Sequence, residues 1–341
     1  MKQYIYFFLL FCAVIIECRR SPFRKIDPRM PMLITSSQKN PDVQFTHSDW
    51  FYYRNPIFTA FCETDLFSNI VQEYSMTNRF ENNVTLPYDA LNDMLETLIA
   101  EVNLEKNLYT HFTLLQNKNF NRKKKCGLIV LKFKDYPFVA KLFMEHPDTL
   151  LNPFCKGFEN RMFHFMGHGA NRHVAGLTRI PNLKRLQKML QKKDYHVILP
   201  RKWFWLPQDP EWIEVTGYNV IPHKTISMTV PGTYVIIADE LKINPEYQTI
   251  PQSKSNKIVM DFCNNVNVII DPHSNNFIVQ RDLDDTVIIA LVDTEHFPTL
   301  VGISEGETFS DHVRWYLSLA WKSVKDLFMT SKQDHLTAIS A

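Results

Sequence analysis

Apolar residues recur at helical spacing in several parts of the chain, most clearly between Pro87 and Asn103. The apolar side chains of that stretch share one face of a helix with 3.6 residues per turn. They are Leu91, Met94, Leu95, Leu98 and Ile99. The pattern predicts further helices over Phe158–Met166, Asn182–Lys193, Lys254–Val268 and about Phe309–Met329.

Shorter runs of apolar, β-branched and aromatic residues predict strands. Three such runs follow the first helix, at His111–Gln116, Cys126–Phe133 and Phe138–Met144, and they indicate an antiparallel meander. Later runs predict strands at Val197–Trp205, Tyr234–Ala238, Phe277–Val279 and Val287–Val292. The chain therefore mixes helices with an antiparallel sheet, and the predicted fold class is α+β.

The N-terminus has the pattern of a targeting segment. Lys2 precedes an apolar run from Tyr4 to Ile16, and basic residues follow from Arg19 onward. As a helix this run spans about 20 Å, less than the hydrocarbon core of about 30 Å. We predict a signal peptide or N-terminal membrane anchor over residues 1–20, membrane contact through residues 4–16, and an exported or anchored protein.

The remaining chain divides into two regions. Residues 21–86 are rich in proline, asparagine, serine and aromatic residues, and we expect an irregular lead-in with short helical pieces. Residues 87–330 carry the regular patterns and form the predicted folded domain.

Composition and charge narrow the range of partners. Hydrophobic residues make up 45% of the 341 residues and charged residues 22%, which excludes a disordered chain. The net charge of +2 provides no overall attraction to nucleic acid. The basic helix Lys184–Lys193 is best interpreted as a solvated surface, so nucleic acid is not an expected partner.

Polar residues with a shared chemistry lie between residues 268 and 297. Asp271 and Asn276 occupy a loop that follows a predicted helix and precedes a short strand, and Asp293 ends the partner strand. The three side chains should therefore converge at one end of a hairpin. Phosphoryl transfer needs one carboxylate to orient the attacking hydroxyl group, and an amide with a second carboxylate to hold magnesium.

This cluster resembles the catalytic and metal-binding loops of the protein kinase-like superfamily. The resemblance assigns the catalytic role to Asp271 and the metal-binding roles to Asn276 and Asp293. His273, two residues after Asp271, is similar to the Asp-x-His form of small-molecule and aminoglycoside kinases. ATP and Mg²⁺ are the implied cofactors.

The resemblance extends to the strands before the cluster. The sequence Phe138-Val-Ala-Lys141 is similar to the strand whose lysine holds the nucleotide phosphates, and Glu159 is the implied partner of that lysine. Tyr234–Glu240 would form the strand and hinge that hold adenine, which makes Asp239 and Glu240 candidate nucleotide-binding residues. Five basic side chains lie in the linker Asn117–Lys125, where they could neutralise phosphate.

The implied architecture is a two-lobed, kinase-like fold with a small antiparallel-sheet lobe and a reduced helical C-terminal lobe. The implied function is phosphotransfer from Mg-ATP to a protein or small-molecule substrate. A catalytically inactive kinase-like interaction module is an alternative, because these motifs indicate a kinase-like fold and do not show that the protein transfers phosphate.

A metal-dependent hydrolase is the second alternative. His164, His168 and His173 are four and five residues apart, and a later group supplies further metal-capable side chains. That group is Asp271, His273, Asp293 and His296. Against a hydrolase, Gly167 and Gly169 flank His168 and should break a helix there. The donor-rich segment Gly167–Asn182 suits either the binding of an anion or substrate or a loop packed on the small lobe.

Overall fold

The computed structural model describes residues 32–47, 76–77, 84–151, 169–191, 196–219, 224–241 and 244–301. The fold is α+β, with mainly antiparallel sheets and few helices among the described residues. The helices are α1 (Tyr88–Asn103), α2 (Pro147–Leu151), α3 (Gly169–Leu177), α4 (Arg179–Leu190), α5 (Gln252–Asn265) and α6 (Phe297–Val301). No described helix has the length and apolarity to cross a membrane.

The strands before α2 are β1 (Met32–Ser37), β2 (Asn40–His47), β3 (Met76–Thr77), β4 (Thr85–Leu86), β5 (Phe112–Asn121), β6 (Cys126–Phe133) and β7 (Phe138–Met144). The strands after α4 are β8 (His196–Ile198), β9 (Lys202–Trp205), β10 (Trp212–Asn219), β11 (Lys224–Pro231), β12 (Thr233–Asp239), β13 (Gln248–Thr249), β14 (Phe277–Arg281) and β15 (Val287–Leu291).

The central sheet has the order β5-β6-β7-β12-β9, and all of its pairs are antiparallel. Side chains alternate between its two faces, as in any strand. One face is buried against α1, where Leu91, Leu95 and Leu98 meet Leu131 and Ile237 of the sheet. This helix begins one residue after the predicted start and ends at the predicted residue, so its prediction is confirmed.

The opposite face of the central sheet is divided along its length. One half packs on α3 and α4 through a cluster that includes Phe143, Phe204 and Tyr234 of the sheet and Leu177 and Ile180 of the helices. The other half is only partly buried, and it provides the site described below.

A second sheet, of order β11-β10-β1-β2, corrects the expected irregular lead-in. Residues 32–47 form two strands, and β1 pairs with β10 over six residues, from Met32 with Tyr218 to Ser37 with Ile213. Ile213 and Val230 of this sheet join the core cluster of α3 and α4. The expectation of short helical pieces was wrong for residues 32–47, because β1 is matched by a strand far away in the sequence.

The third sheet has the order β13-β14-β15-β8, and β8 pairs with β15 in parallel. A third core cluster joins this sheet to α4 and α5, for example through Leu186, Phe262 and Leu291. The strand predicted at Val197–Trp205 is therefore two strands, β8 and β9, in different sheets.

The donor-rich segment Gly167–Asn182 is helical where the structure describes it. The helices α3 and α4 cover residues 169–190 apart from the single residue Thr178, so the loop expected there was wrong. Gly169 stands at the first residue of α3, where it does not interrupt the helix. The predicted leader, Glu159, and the helices predicted at Phe158–Met166 and Phe309–Met329 lie outside the described residues.

Candidate functional site

The half-exposed part of the central sheet presents three lysines on an apolar strip. Cross-strand register places the side chains on one face, since residues directly opposite in an antiparallel pair point the same way. We call this set the lysine face, and it consists of Val130, Lys132, Val139, Lys141, Ala238 and Lys202. The lysine face therefore combines apolar side chains with three lysines.

Lys141 meets Asp293 at the centre of the site. The Lys141 Nζ lies 2.5 Å from Asp293 Oδ2, although the two residues are 152 positions apart in the sequence. Burial lowers the pKa of Lys141, and the adjacent Asp293 carboxylate opposes this effect. The structure thus brings together the residues that the sequence analysis assigned to phosphate and metal binding.

Arg179, at the start of α4, holds the same carboxylate from the other side. Its Nε donates to Asp293 Oδ1 at 2.7 Å, and a terminal nitrogen donates to Asp293 Oδ2 at 3.0 Å and to Glu295 at 2.6 Å. The Arg179 side chain is fully buried, and its guanidinium lies 5.1 Å from the centre of the Phe143 ring. A second arginine, Arg172 of α3, pairs with Glu295 at 3.0 Å.

The charges around Asp293 fix its ionisation. Burial alone would raise the pKa of Asp293, but Arg179, Lys141 and Lys202 hold it well below its usual range. The pKa of Lys202 is lowered to about 7, mainly by burial. The attraction of Asp293 opposes this shift, and repulsion by Lys141 and Arg179 adds to it. Lys202 donates to the Thr294 hydroxyl at 2.8 Å.

The loop that contains Asp271 is closed by its own hydrogen bonds. Asn276 donates to Asp271 Oδ2 at 3.0 Å, and the backbone N–H of His273 donates to Asp271 Oδ1 at 3.1 Å. A short 3₁₀ turn, Ser274–Asn276, leads from the loop into β14. Burial raises the pKa of Asp271, which favours a carboxylate that can accept a proton.

Backbone contacts join this loop to Asp293. The carbonyl of Asn276 accepts hydrogen bonds from the N–H groups of Val292 at 2.8 Å and Asp293 at 3.5 Å. Next to these contacts, β14 and β15 pair Phe277 with Leu291. Asp271, Asn276 and Asp293 therefore stand at one end of the hairpin.

The two carboxylates proposed for the hinge both form ion pairs. Asp239 is buried and accepts hydrogen bonds from the backbone and side chain of Arg201, at 2.9 and 3.2 Å. Glu240 Oε1 lies 2.5 Å from Nζ of Lys132, which belongs to the lysine face. These pairs fix the end of β12 beside the apolar strip.

The described histidines do not gather into a metal centre. His173 is buried and its Nε2 donates to the carbonyl of Pro231 at 2.6 Å, while burial lowers its pKa to about 4. The Nδ1 of His296 contacts the Thr299 hydroxyl at 2.9 Å. Across the described ranges, no group of three or more His, Cys, Asp or Glu side chains is placed to hold a metal ion. His164 and His168 lie outside the described residues.

Sequence reasoning missed Arg179, Glu295 and Lys202 as site residues. Arg179 falls within the segment noted for its density of donors, but no local pattern links it to a carboxylate 114 positions away. Lys202 alternates with Trp203 in a short apolar strand, which is the signal that could have placed it on a sheet face.

Comparisons with known proteins gave no match for this chain among protein-family models, curated proteins or solved structures.

Proposed function

We propose that this chain is a kinase-like phosphotransferase, which binds ATP against the lysine face and transfers a phosphoryl group to a hydroxyl group oriented by Asp271. One observation carries the proposal: Lys141 contacts Asp293 directly, and the loop of Asp271 and Asn276 is hydrogen-bonded to the backbone of the same Asp293. Phosphoryl transfer relies on positioning and on fixed charge, which this arrangement can supply.

The chemistry assigned to each residue follows from its surroundings. Lys141 is half-buried on an apolar strip, where its ammonium can contact phosphate oxygens. Asp271 has its pKa raised by burial, and an orienting carboxylate of this kind can accept the proton of an attacking hydroxyl group. The two-lobed architecture and the identity of the acceptor, a protein or a small molecule, are parts of this proposal.

The magnesium role of Asp293 does not fit the donors around it. Both of its carboxylate oxygens already accept hydrogen bonds from Arg179, and one of them also from Lys141. No step of the proposed transfer is therefore assigned to a metal held by Asp293.

The ion pair of Asp293 with Arg179 also favours a second candidate, a kinase-like module that binds nucleotide without transferring phosphate. A carboxylate held by a fully buried arginine suits a permanent structural pair better than an exchanging ligand set. The two candidates share the nucleotide site and differ only in turnover.

The test combines nucleotide binding with a transfer assay on the wild-type chain and on Asp271→Asn. For a phosphotransferase, we expect ATP to raise the melting temperature of both proteins, and Asp271→Asn to reduce turnover by roughly 100-fold or more. Asp261→Asn, which makes the same change on an exposed position of α5, is the matched control and should keep full activity. Binding without turnover in the wild type would support the inactive module. A wild-type protein that does not respond to ATP at millimolar concentration would contradict both candidates.

A further inference from the structure

The carboxylate of Asp293 has its hydrogen-bonding capacity filled by the protein itself. Oδ1 accepts from Arg179 Nε at 2.7 Å and from the N–H groups of Thr294 and Glu295 at 2.8 and 3.2 Å. Oδ2 accepts from Arg179 at 3.0 Å and from Lys141 at 2.5 Å. These are five donors, whereas a carboxylate offers about four lone-pair positions. A metal ion could bind Asp293 only by displacing one of these donors.

Arg179 is fixed in its place by more than Asp293. Its side chain is fully buried, it pairs with Glu295 as well, and its backbone carbonyl accepts a hydrogen bond from the Thr294 hydroxyl at 2.8 Å. A guanidinium stays protonated in proteins, so releasing it would leave a buried, uncompensated charge. Arg179 is therefore a permanent positive charge on the carboxylate that the kinase resemblance assigns to the metal.

Basic side chains outnumber carboxylates in this charge network. Asp293 and Glu295 face four basic side chains within the network, which are Lys141, Arg172, Arg179 and Lys202. Lys202 donates to a hydroxyl group and forms no ion pair with a carboxylate among the described residues. Lys141 and Lys202 lie on the half-buried lysine face, on the two strands that flank β12.

We propose that the site takes the phosphate groups of a nucleotide directly on Lys141 and Lys202, with Arg179 in place of a metal ion, so that binding needs no divalent cation. This inference rests on the proposed nucleotide site and specifies how that site neutralises the phosphates. An ammonium group bonded to phosphate oxygens forms a charge-assisted hydrogen bond, which is stronger than a neutral one.

The experiment measures ATP affinity by calorimetry on the full chain, once in excess EDTA and once in excess Mg²⁺. We expect dissociation constants that agree within about threefold. We also expect no binding of Mn²⁺ alone, as followed by its paramagnetic resonance signal. Tight binding in Mg²⁺ that disappears in EDTA would overturn the inference while leaving the proposed function intact. Absence of ATP binding under both conditions would overturn both.

The variant Lys202→Gln tests the role of Lys202, a residue to which the kinase resemblance assigns no function. It should weaken ATP binding in EDTA by about 10-fold or more, the usual effect of losing a hydrogen bond to a charged group. Lys257→Gln makes the same change of charge on an exposed position of α5 and should leave the affinity unchanged. The melting temperature of each unliganded variant shows whether it is folded. Equal affinities for Lys202→Gln and the wild type would place ATP elsewhere and overturn the inference.

Discussion

Glu145 buries a carboxyl group directly after β7, and its Oε2 has no hydrogen-bond partner among the described residues. Burial raises its pKa to about 8, against an ordinary value of 4.5, although the Thr149 hydroxyl acts in the opposite direction. The folded protein therefore keeps this proton at a pH where the unfolded chain has lost it. The resulting stabilisation is fully present below about pH 4.5 and is lost as the pH rises toward 8.

We predict that Glu145→Gln removes this pH dependence, because glutamine keeps the shape of the side chain and cannot ionise. At pH 8 the variant should be more stable than the wild type by about 1–3 kcal/mol, and at pH 4.5 the two should be similar. Urea unfolding at several pH values provides the measurement. Glu214→Gln, which makes the same change at an exposed position of β10, is a control that should preserve the wild-type slope. Parallel curves for Glu145→Gln and the wild type would contradict the prediction.

His173 makes the stability of the fold depend on pH in the opposite direction, and it does so at acid pH. Burial lowers its pKa to about 4, so the unfolded chain takes up a proton near pH 6.5 before the folded protein does. Its contribution to stability is present above about pH 6.5 and is lost as the pH falls toward 4. We predict that His173→Gln, which can keep a donor toward the Pro231 carbonyl, flattens the loss of stability between pH 6.5 and 4. The measurement is the urea concentration at the midpoint of unfolding, taken at several pH values across this range. The same loss of stability in the variant as in the wild type would contradict the prediction.

At the scale of elements, α3 approaches the central sheet at a glycine. A Cβ on Gly176 would stand 2.0 Å from the Tyr234 hydroxyl and 2.9 Å from the Phe143 ring, both of them buried. The Tyr234 hydroxyl is itself fixed, because it donates to the carbonyl of His173 at 2.5 Å. The helix can therefore lie this close to the sheet only if residue 176 has no side chain.

We predict that Gly176→Ala destabilises the fold by about 1–3 kcal/mol, because the well-packed interior has to shift to make room. A double-mutant cycle with Tyr234→Phe identifies the cause. Removing the hydroxyl group costs stability by itself, but it relieves the closest contact, so the double variant should lose less than the sum of the single changes. Additive losses, measured by chemical denaturation, would show that the contact is not the cause.

The elements also show how far the sequence alone could lead. Local periodicity was enough to predict α1. The order of polar residues was enough to predict that Asp271, Asn276 and Asp293 lie at one end of a hairpin. The pairing of β1 with β10 was not predictable, since polar and apolar residues in β1 give no indication of a partner far along the chain. For the same reason the sequence could not show Arg179 on Asp293. Its charge is satisfied by tertiary contacts that no spacing rule describes.

On the scale of the whole molecule, the three larger sheets of the described residues are joined through α4. Ile180 belongs to the cluster shared by the central and second sheets, and Leu183 and Leu186 belong to the cluster of the third sheet. Arg179 lies at the start of this helix, next to the Asp293 that follows β15. The charge network of the site is therefore located where the two core clusters meet. Changes in core packing should alter the positions of the site residues.

The second sheet offers the test of this connection. β1 lies between β2 and β10, and the buried Thr35 donates to the carbonyl of Pro147, at the start of α2, at 2.6 Å. A variant lacking residues 1–48 would leave β10 paired only with β11 and would uncover apolar residues such as Ile213. We predict that this variant loses a cooperative unfolding transition, whereas a variant lacking only the predicted leader, residues 1–20, melts like the full chain. Differential scanning calorimetry of both variants checks this. A sharp, unshifted transition after removal of residues 1–48 would show that β1 and β2 are dispensable, and with them the role of the second sheet in supporting the site.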